Sequence, residues 1–583
     1  MKLSKKNTRV ALVNVVKGLS TIVVCAILTS AVSVALGQTC PPTTTGPAPL
    51  NTTAAFDSGS DIGPKVATDG AGVWVATWMF HDLSGGPLGA DIDILFARST
   101  DNGASWTDPE PLNTNAAFDS ATDLGASITT DGLGNWVAVW ASNNDFDGTI
   151  GTDFDILFAR STNNGVTWSD PEPLNTNAAS DTGLDFPARI NTDGLGNWVA
   201  VWASGEDLGG TIGYDSDILL ARSTDNGETW TAPTPLNSDA AFDPRSDEHP
   251  ELATDAAGNW LVVWDAFDPA GAGPFGIDVD VFFSYSTDNG LAWTDPLPLN
   301  SNATSDTGYD EFPRLTTDGA GNWVVVWRSN ENLGGSIGTD TDILFSRSTD
   351  NAANWSAPAA LNTDAAADSG VDDSAWITSD QAGNWMAVWR SSNVDPYGDI
   401  VLARSTDNGA TWTDPQSLNT NAVPDGAPNL TTDGLGHWVA VWDSRDDLNG
   451  LIGTDRDIIL VRFQTGSSAP VMICHIPPGN PDNRHTITVP ESAVPAHLAH
   501  GDTCGPCGAP HPPASASSGS EVSDCPSDLD SDGSVASADL ALLLGSWGPC
   551  ADRDDCPADL DDDGQVGSFD LAILLGAWAP CPP

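Results

Sequence analysis

Ser99-Thr100-Asp101-Asn102-Gly103-Ala104-Ser105-Trp106 is the stretch that decides the fold, because it returns five more times at a near-constant interval. The later copies run from Ser161 to Trp168, Ser223 to Trp230, Ser286 to Trp293, Ser348 to Trp355 and Ser405 to Trp412. Their starts lie 62, 62, 63, 62 and 57 residues apart. The second copy carries Asn163 in place of Asp, and the fifth carries Ala352 in place of Gly. Working outward, each copy belongs to a longer unit. Pro-Leu-Asn leads into an Asp-rich loop, then Thr-Asp-Gly-x-Gly-Asn-Trp-Val-x-Val-Trp, a second acidic loop, and Asp-Ile-Leu-Phe-Ala-Arg-Ser. The paired tryptophans occur seven times, from Trp74/Trp78 to Trp438/Trp442. So does the Asp that opens the third segment: Asp93, Asp155, Asp217, Asp280, Asp342, Asp399 and Asp457.

These segments read as strands. In Trp136-Val-Ala-Val-Trp140 odd and even positions are both apolar, which fits a sheet buried on both faces. Gly-rich turns such as Asp131-Gly-Leu-Gly-Asn135 separate the first two strands. Four short strands per unit, repeated seven times, predict a mainly β fold, a seven-bladed β-propeller in which the faces of each blade pack on its neighbours. The seventh unit stops near Phe463 with no outer strand, and an extra Pro49-Leu50-Asn51 precedes the first unit. The segment near 48–51 is therefore expected to complete the seventh blade and cover its edge.

The Ser-x-Asp-x-Gly-x-x-Trp pattern resembles the Asp-box of sialidase-type (BNR repeat) β-propellers, over about residues 47 to 466. In that family Asp-boxes sit on the rim as turn architecture. The resemblance implies a sialidase site made of three arginines gripping a carboxylate, a Tyr/Glu nucleophile pair and an Asp acid. The chain departs from it: there is no Arg-Ile-Pro motif near the first blade, and seven units exceed the six blades usual in sialidases. Only Tyr214, Tyr285, Tyr309 and Tyr397 are available as tyrosines.

Composition narrows the setting. Lys plus Arg number 21 against 80 Asp plus Glu, a net charge of −59. Such a surface repels nucleic acid and anionic lipid, which require Lys/Arg clusters. High charge alone would suggest disorder, but 23 Trp and regular apolar strands argue against it. Residues 1–37 read as a secretory signal, with a basic start (Lys2, Lys5, Lys6, Arg9, Lys17), an apolar Leu19 to Leu36 stretch and Ala35-Leu-Gly37 as cleavage site. The expectation is a secreted, extracellular or cell-surface protein with no membrane span after cleavage.

Function should lie where sevenfold symmetry breaks. The residue before the first-strand apolar position runs Lys65, Ser127, Arg189, Glu251, Arg314, Trp376, Asn429. The residue after the second tryptophan runs Met79, Ala141, Ala203, Asp265, Arg328, Arg390, Asp443. Both are expected at the mouth of the central channel on the long-loop face. The candidate ligand-binding set is Arg189, Glu251, Arg314, Arg328, Trp376 and Arg390, guanidinium being suited to carboxylate and Trp376 to stacking on sugar. A further ring, Asp61, Asp123, Asp185, Asp247, Asp310, Asp372 and Asp425, reads as loop-capping Asx-turns, with Ca²⁺ coordination by some of them as the sharper alternative.

With the propeller assigned to 38–466, residues 467–508 form a Cys/His-rich module. There a disulfide staple competes with a Zn²⁺ site of His475, His485, His497 and His500. A Pro/Ser/Gly linker, 509–524, leads to residues 525–583. Asp528, Asp530, Asp532, Ser534 and Asp539 form one calcium loop, and Asp559, Asp561, Asp563, Gln565 and Asp570 repeat it. Each loop runs into an apolar helical segment. This duplication resembles a type I dockerin, which implies a small α-helical domain binding two Ca²⁺ and docking to a cohesin-like partner. The flanking cysteines depart from the usual dockerin pattern. Cys525 and Cys550, and Cys556 and Cys581, share one spacing and suggest a disulfide in each half. The chain thus reads as a secreted calcium-binding protein whose propeller takes glycan or protein ligands and whose tail attaches it to an assembly. The alternative is a sialidase-type glycoside hydrolase acting on extracellular polysaccharide or glycan.

Overall fold

The computed structural model describes residues 43–465, apart from 83–85, 243, 268–276, 306 and 394–395, and beyond them 470–476, 485–490, 497, 502–504, 548–549 and 565–566. Residues 1–37, the linker and nearly all of 525–583 lie outside the described residues. So do the proposed calcium ligands Asp528 to Asp563 and Asp570, with Ser534, and Cys525, Cys550, Cys556 and Cys581. Of that segment only Gly548–Pro549 and Gln565–Val566 are described, as a short antiparallel pair. Among the described residues no helix is long and apolar enough to cross a membrane.

Seven antiparallel sheets follow one another around a ring, six of four strands and the seventh of five. Blade 1 comprises, from the inside outward, Ser60–Thr68, Trp74–His81, Ile92–Ser99 and Glu110–Pro111. Blades 2 to 6 begin with the inner strands Asp123–Thr130, Asp185–Thr192, Ser246–Thr254, Asp310–Thr317 and Asp372–Ser379. Blade 7 holds Asp425–Thr432, His437–Ser444 and Asp457–Gln464, and its outer edge is filled by the N-terminal segment. Thr43 and Thr44 pair with Gln464 and Phe463, and Ala48 and Pro49 pair with Leu460 and Ile459. The ring closes with a strand from the other end of the chain.

Alternation within the second strand explains the packing. Trp136, Ala138 and Trp140 face blade 1, where they meet Val75, Ile94 and Phe96. Val137, Val139 and Ala141 face blade 3 and meet Trp198, Ala200 and Trp202. The last interface joins Val439, Val441 and Ile458 of blade 7 to Trp74 and Trp78 of blade 1. Every paired tryptophan sits at 0 or 1 % exposure, so each inter-blade seam is sealed by an indole pair.

The Asp-box is a hydrogen-bonded turn on the opposite side of the disc from the long loops. Gly103 N–H donates to Ser99 Oγ at 3.0 Å, Ser105 N–H to Asp101 Oδ1 at 2.9 Å, and Trp106 Nε1 to the Gly103 carbonyl at 3.2 Å. Its tryptophan reaches back to the preceding blade: Trp168 meets Phe96 edge-on at 5.8 Å, and Trp230 meets Phe158 at 6.0 Å. The repeated third-strand arginine completes the clamp, Arg98 Nε donating to the Asn164 carbonyl at 2.6 Å and Arg160 Nε to that of Asn226 at 3.0 Å. Both motifs are inter-blade joinery.

The box glycine is required by contact and by conformation. Gly227 has φ +74°, and a Cβ there would lie 2.7 Å from Val137 Cγ2. Ala352 occupies the same place in blade 5 at φ +63° and is buried in a cluster with Leu261. Gly227→Ala should destabilise the propeller by about 1–3 kcal/mol, through overpacking added to left-handed strain. Ala352→Gly trades relief of that strain against one buried methyl and should change stability by less than about 1 kcal/mol. Thermal midpoints of the two variants beside the parent decide the point.

Candidate functional site

Two sets of polar residues are buried in this fold: one between the blades, one in the central channel. Between blades the organiser is the Asn of Pro-Leu-Asn. Asn113 is 1 % exposed; its amide donates to Asp93 of its own blade at 2.9 Å and to Asp123 of the next at 2.7 Å. Its Oδ1 accepts the Ile94 N–H at 3.1 Å. Asn237 and Asn362 repeat the bridge to Asp217/Asp247 and Asp342/Asp372. Asn51, on the closing strand, does so between Asp457 and Asp61. The carboxylates of the inner-strand Asp ring thus accept from asparagine across the seam, and Asp61 accepts also from Trp78 Nε1 at 2.6 Å. The sequence suggests turn chemistry there because the partner asparagine lies on a different blade.

Burial, then the charge of neighbouring aspartates, pushes these carboxyls up against the opposing effect of the asparagine hydrogen bonds. Asp93, Asp155, Asp217, Asp342 and Asp457 rise to about 7. Asp123 and Asp372 rise to about 8, where burial again leads and serine hydroxyls oppose it.

In the channel, four of the sequence-derived candidates converge. Arg189 Nε donates to Glu251 Oε2 at 3.1 Å, and Arg314 Nε lies 3.7 Å from the same oxygen. Trp376 flanks them, with the Arg314 guanidinium 5.5 Å from its ring centre. Sequence reasoning omitted one member from the set: Lys65, whose Nζ sits 4.1 Å over the same indole. It occupies the equivalent position in blade 1, which is the signal that could have included it. Burial, then the positive charges of Arg189 and Arg314, depresses the Lys65 ammonium well below its usual range. Arg314 falls to about 10 for the same two reasons, burial before Arg189.

Arg328 and Arg390 form a separate tier. Arg328 Nη2 pairs with Glu311 at 2.7 Å and its guanidinium covers the Phe312 ring at 4.5 Å. Arg390 pairs with Asp373 through both Nε and Nη2. The expectation that both positions share the channel mouth needs correcting. A β-bulge in every inner strand, such as that between Glu311 and Arg314, separates the tiers. Arg314 pairs with Val326 deep in the sheet, whereas Arg328 pairs with Glu311 one step from the loop-side end.

At the bulges the backbone is left-handed at Gly63 and Gly125, but also at His249, Phe312, Ser374 and Ala427. Left-handed non-glycine residues are costly, by about 1–3 kcal/mol each, and concentrate at functional sites. The rings of His249 and Phe312 meet at a tilt of 44° with centres 4.1 Å apart, and Asp265 accepts from His249 Nδ1 at 3.1 Å and from the Phe312 N–H at 2.7 Å. Sequence reading found Asp265 as a divergent position without assigning it a partner.

The Cys/His module contributes a three-stranded sheet of Pro470–His475, His485–Pro490 and Thr503–Cys504. Cys474 is disulfide-bonded. His475 and His497 both direct Nδ1 to Asp502 Oδ2, at 2.8 and 2.7 Å. Two of the four histidines proposed for zinc thus meet on an aspartate that the sequence reading did not include. His500 and the side chain of His485 lie outside the described residues.

Residues 134–375 match the BNR repeat-like domain family. Over 220 residues the chain is 31 % identical to a sialidase of Paraclostridium sordellii, covering 33 % of this chain and 50 % of that protein. It therefore spans about half the length of this curated relative. Among solved structures it is similar to a protein of unknown function from Dyadobacter fermentans, with TM-score 0.43 and 15 % identity over 72 % of this chain and 98 % of that one. It is also similar to a polysaccharide lyase of family PL25, an ulvan lyase, with TM-score 0.42 and 14 % identity over 70 % and 94 %. The BNR repeat match thus falls within the seven-bladed ring.

The inter-blade carboxyls make stability depend on pH in an unusual direction. Their folded values lie above the unfolded value of about 4. The stability they contribute is complete below that value and is lost as pH rises through the folded range of 7 to 8. In chelator the thermal midpoint should fall steadily between about pH 4 and pH 8. A rise over that interval would contradict the assignment.

Proposed function

We propose that the propeller is a recognition module for acidic glycans, admitting a carboxylate-bearing sugar into the central channel. The observation that carries this reading is the concentration of Lys65, Arg189 and Arg314 around a single acid, Glu251, in a chain of net charge −59. A local excess of cations within an acidic surface draws anions to one point and excludes them elsewhere. Arginine offers a carboxylate two parallel hydrogen bonds, and half-buried Trp376 adds an aromatic face. The likeness to a sialidase supports a glycan as the ligand.

Binding is favoured over hydrolysis by where the tyrosines sit. Tyr214, Tyr309 and Tyr397 are exposed, and Tyr285 packs against the core between blades 4 and 5. Glu251 is engaged by two arginines. No described tyrosine joins that glutamate as a nucleophile pair. Secretion and attachment through a calcium-loaded tail, as read from the sequence, would place such a module in an extracellular assembly.

The test uses the full chain on an array of sialylated, uronate-bearing and neutral glycans, with turnover of the same sugars measured in parallel. Acidic glycans should bind and neutral ones should not, with affinity falling as salt is raised. Trp376→Ala and Arg314→Met should each weaken binding about tenfold or more, as expected for loss of a charge-assisted or stacking contact. Equal binding of neutral glycans, or variants that bind like the parent, would overturn the reading. Turnover of a sialoside would establish the hydrolase alternative.

A further inference from the structure

The inter-blade aspartates described above lie next to a second layer of carboxylates that neither the fold nor the channel uses. Before the third strand of most blades the chain reads Gly-x-Asp-x-Asp: Gly151 to Asp155 in blade 2, Gly338 to Asp342 in blade 5, Gly453 to Asp457 in blade 7. The loop that follows the outer strand adds one more Asp at these junctions: Asp181, Asp368 and Asp57. Carboxylate oxygens of Asp153, Asp155 and Asp181 lie within 4.8 Å of one another, as do those of Asp340, Asp342 and Asp368, and those of Asp57, Asp61 and Asp457. In each group one side chain is completely buried, and one of its oxygens has no hydrogen-bond partner: Asp155 Oδ2, Asp342 Oδ2 and Asp457 Oδ2. The same is true of Asp153 Oδ2 and Asp181 Oδ1, and of Asp340 Oδ2 and Asp368 Oδ1. The asparagine bridge occupies the other oxygen of each buried Asp and leaves these pointing at one another.

Buried carboxylates facing one another with bare oxygens call for a cation. One junction shows what satisfies it. Between blades 3 and 4 an acidic residue of the same loop, Asp239, which stands where blade 2 has Asn177, is ion-paired to Arg245, whose positive charge also acts on Asp217. At the junctions of blades 2–3, 5–6 and 7–1 no described basic side chain forms an ion pair with the clustered aspartates. The chain supplies its own cation at one seam and leaves the others to an ion.

We propose that the seams between blades 2 and 3, 5 and 6, and 7 and 1 each bind a Ca²⁺ ion, held by Asp153/Asp155/Asp181, Asp340/Asp342/Asp368 and Asp57/Asp61/Asp457. An all-oxygen, carboxylate-rich donor set selects a hard cation. Two oxygens across Ca²⁺, each at 2.3–2.6 Å, span up to about 5 Å, which accommodates the observed spread, whereas Mg²⁺ demands a tighter octahedron. Bound there, the ions fasten neighbouring blades on the loop face, as the Asp-boxes do on the other.

The experiment measures metal content and thermal midpoint of the full-length chain, first stripped with chelator and then equilibrated with Ca²⁺ or with Mg²⁺. Because the C-terminal loops are themselves calcium candidates, the informative quantity is the difference between variants. Asp155→Asn and Asp342→Asn should each remove one Ca²⁺ per chain, and the double variant two. In chelator the Asn variants should melt no lower than the parent, since each removes a repelling charge; in Ca²⁺ they should melt lower. A merely structural aspartate would lower both. Should either buried variant fail to fold, Asp153→Asn and Asp340→Asn change half-buried members of the same groups and must show the same loss. An unchanged ion count in these variants overturns the proposal, and equal protection by Mg²⁺ overturns the choice of calcium.

Discussion

At six of the seven seams one asparagine amide holds this ring in register. It donates to an aspartate of its own blade and to an aspartate of the next while its oxygen caps the start of the third strand, as Asn113 does for Asp93, Asp123 and Ile94. The apolar contacts between blades are extensive but nearly identical at every seam, and a sheet stacked on a sheet through valines and tryptophans can slide. A buried three-way hydrogen bond cannot slide without leaving carboxylates unsatisfied, at a cost of about 1–3 kcal/mol or more for each charged group. Directional polar contacts thus fix a geometry that hydrophobic burial stabilises without specifying.

The same network creates the demand that shapes the rest of the loop face. Burial first, and the charge of neighbouring aspartates after it, raises the pKa values of these carboxyls. At one seam Arg245 answers it. In the channel, by contrast, positive groups crowd a single acid, and Lys65 and Arg314 are shifted in the opposite sense. The disc therefore carries negative charge through its loop face and positive charge at its axis, an arrangement that a ligand would meet as a well at the centre of a repelling field.

Much of the architecture was legible in the sequence because the repeat is long and its tryptophans mark every strand pair. The missing outer strand of the seventh unit and the surplus Pro49-Leu50-Asn51 pointed to closure, which the pairing of Ala48 and Pro49 with blade 7 displays. The divergent channel positions were legible by the same logic, since a ring exposes its exceptions. What the sequence hid were contacts across seams. Asp153 and Asp181 read as belonging to two separate acidic loops, and only the fold makes them neighbours. The bulges were hidden as well, because Gly63, His249, Phe312 and Ser374 share a backbone shape and no side-chain chemistry. That is why Arg314 and Arg328 read as one tier and stand as two.

The way the ring closes also determines how it bears load. Thr43 lies opposite Gln464 and Thr44 opposite Phe463 in an antiparallel ladder, so the chain enters and leaves the propeller at the same end of one pair of strands. Tension applied between the segments flanking the propeller would not shear that ladder; it would peel it, breaking hydrogen bonds one after another from Thr43 toward Leu50. A ring that heat must melt through seven sealed seams is, along this single axis, a zipper. Whatever pulls on its two ends opens the seventh blade first, and with it the seam whose asparagine, Asn51, travels on the departing strand.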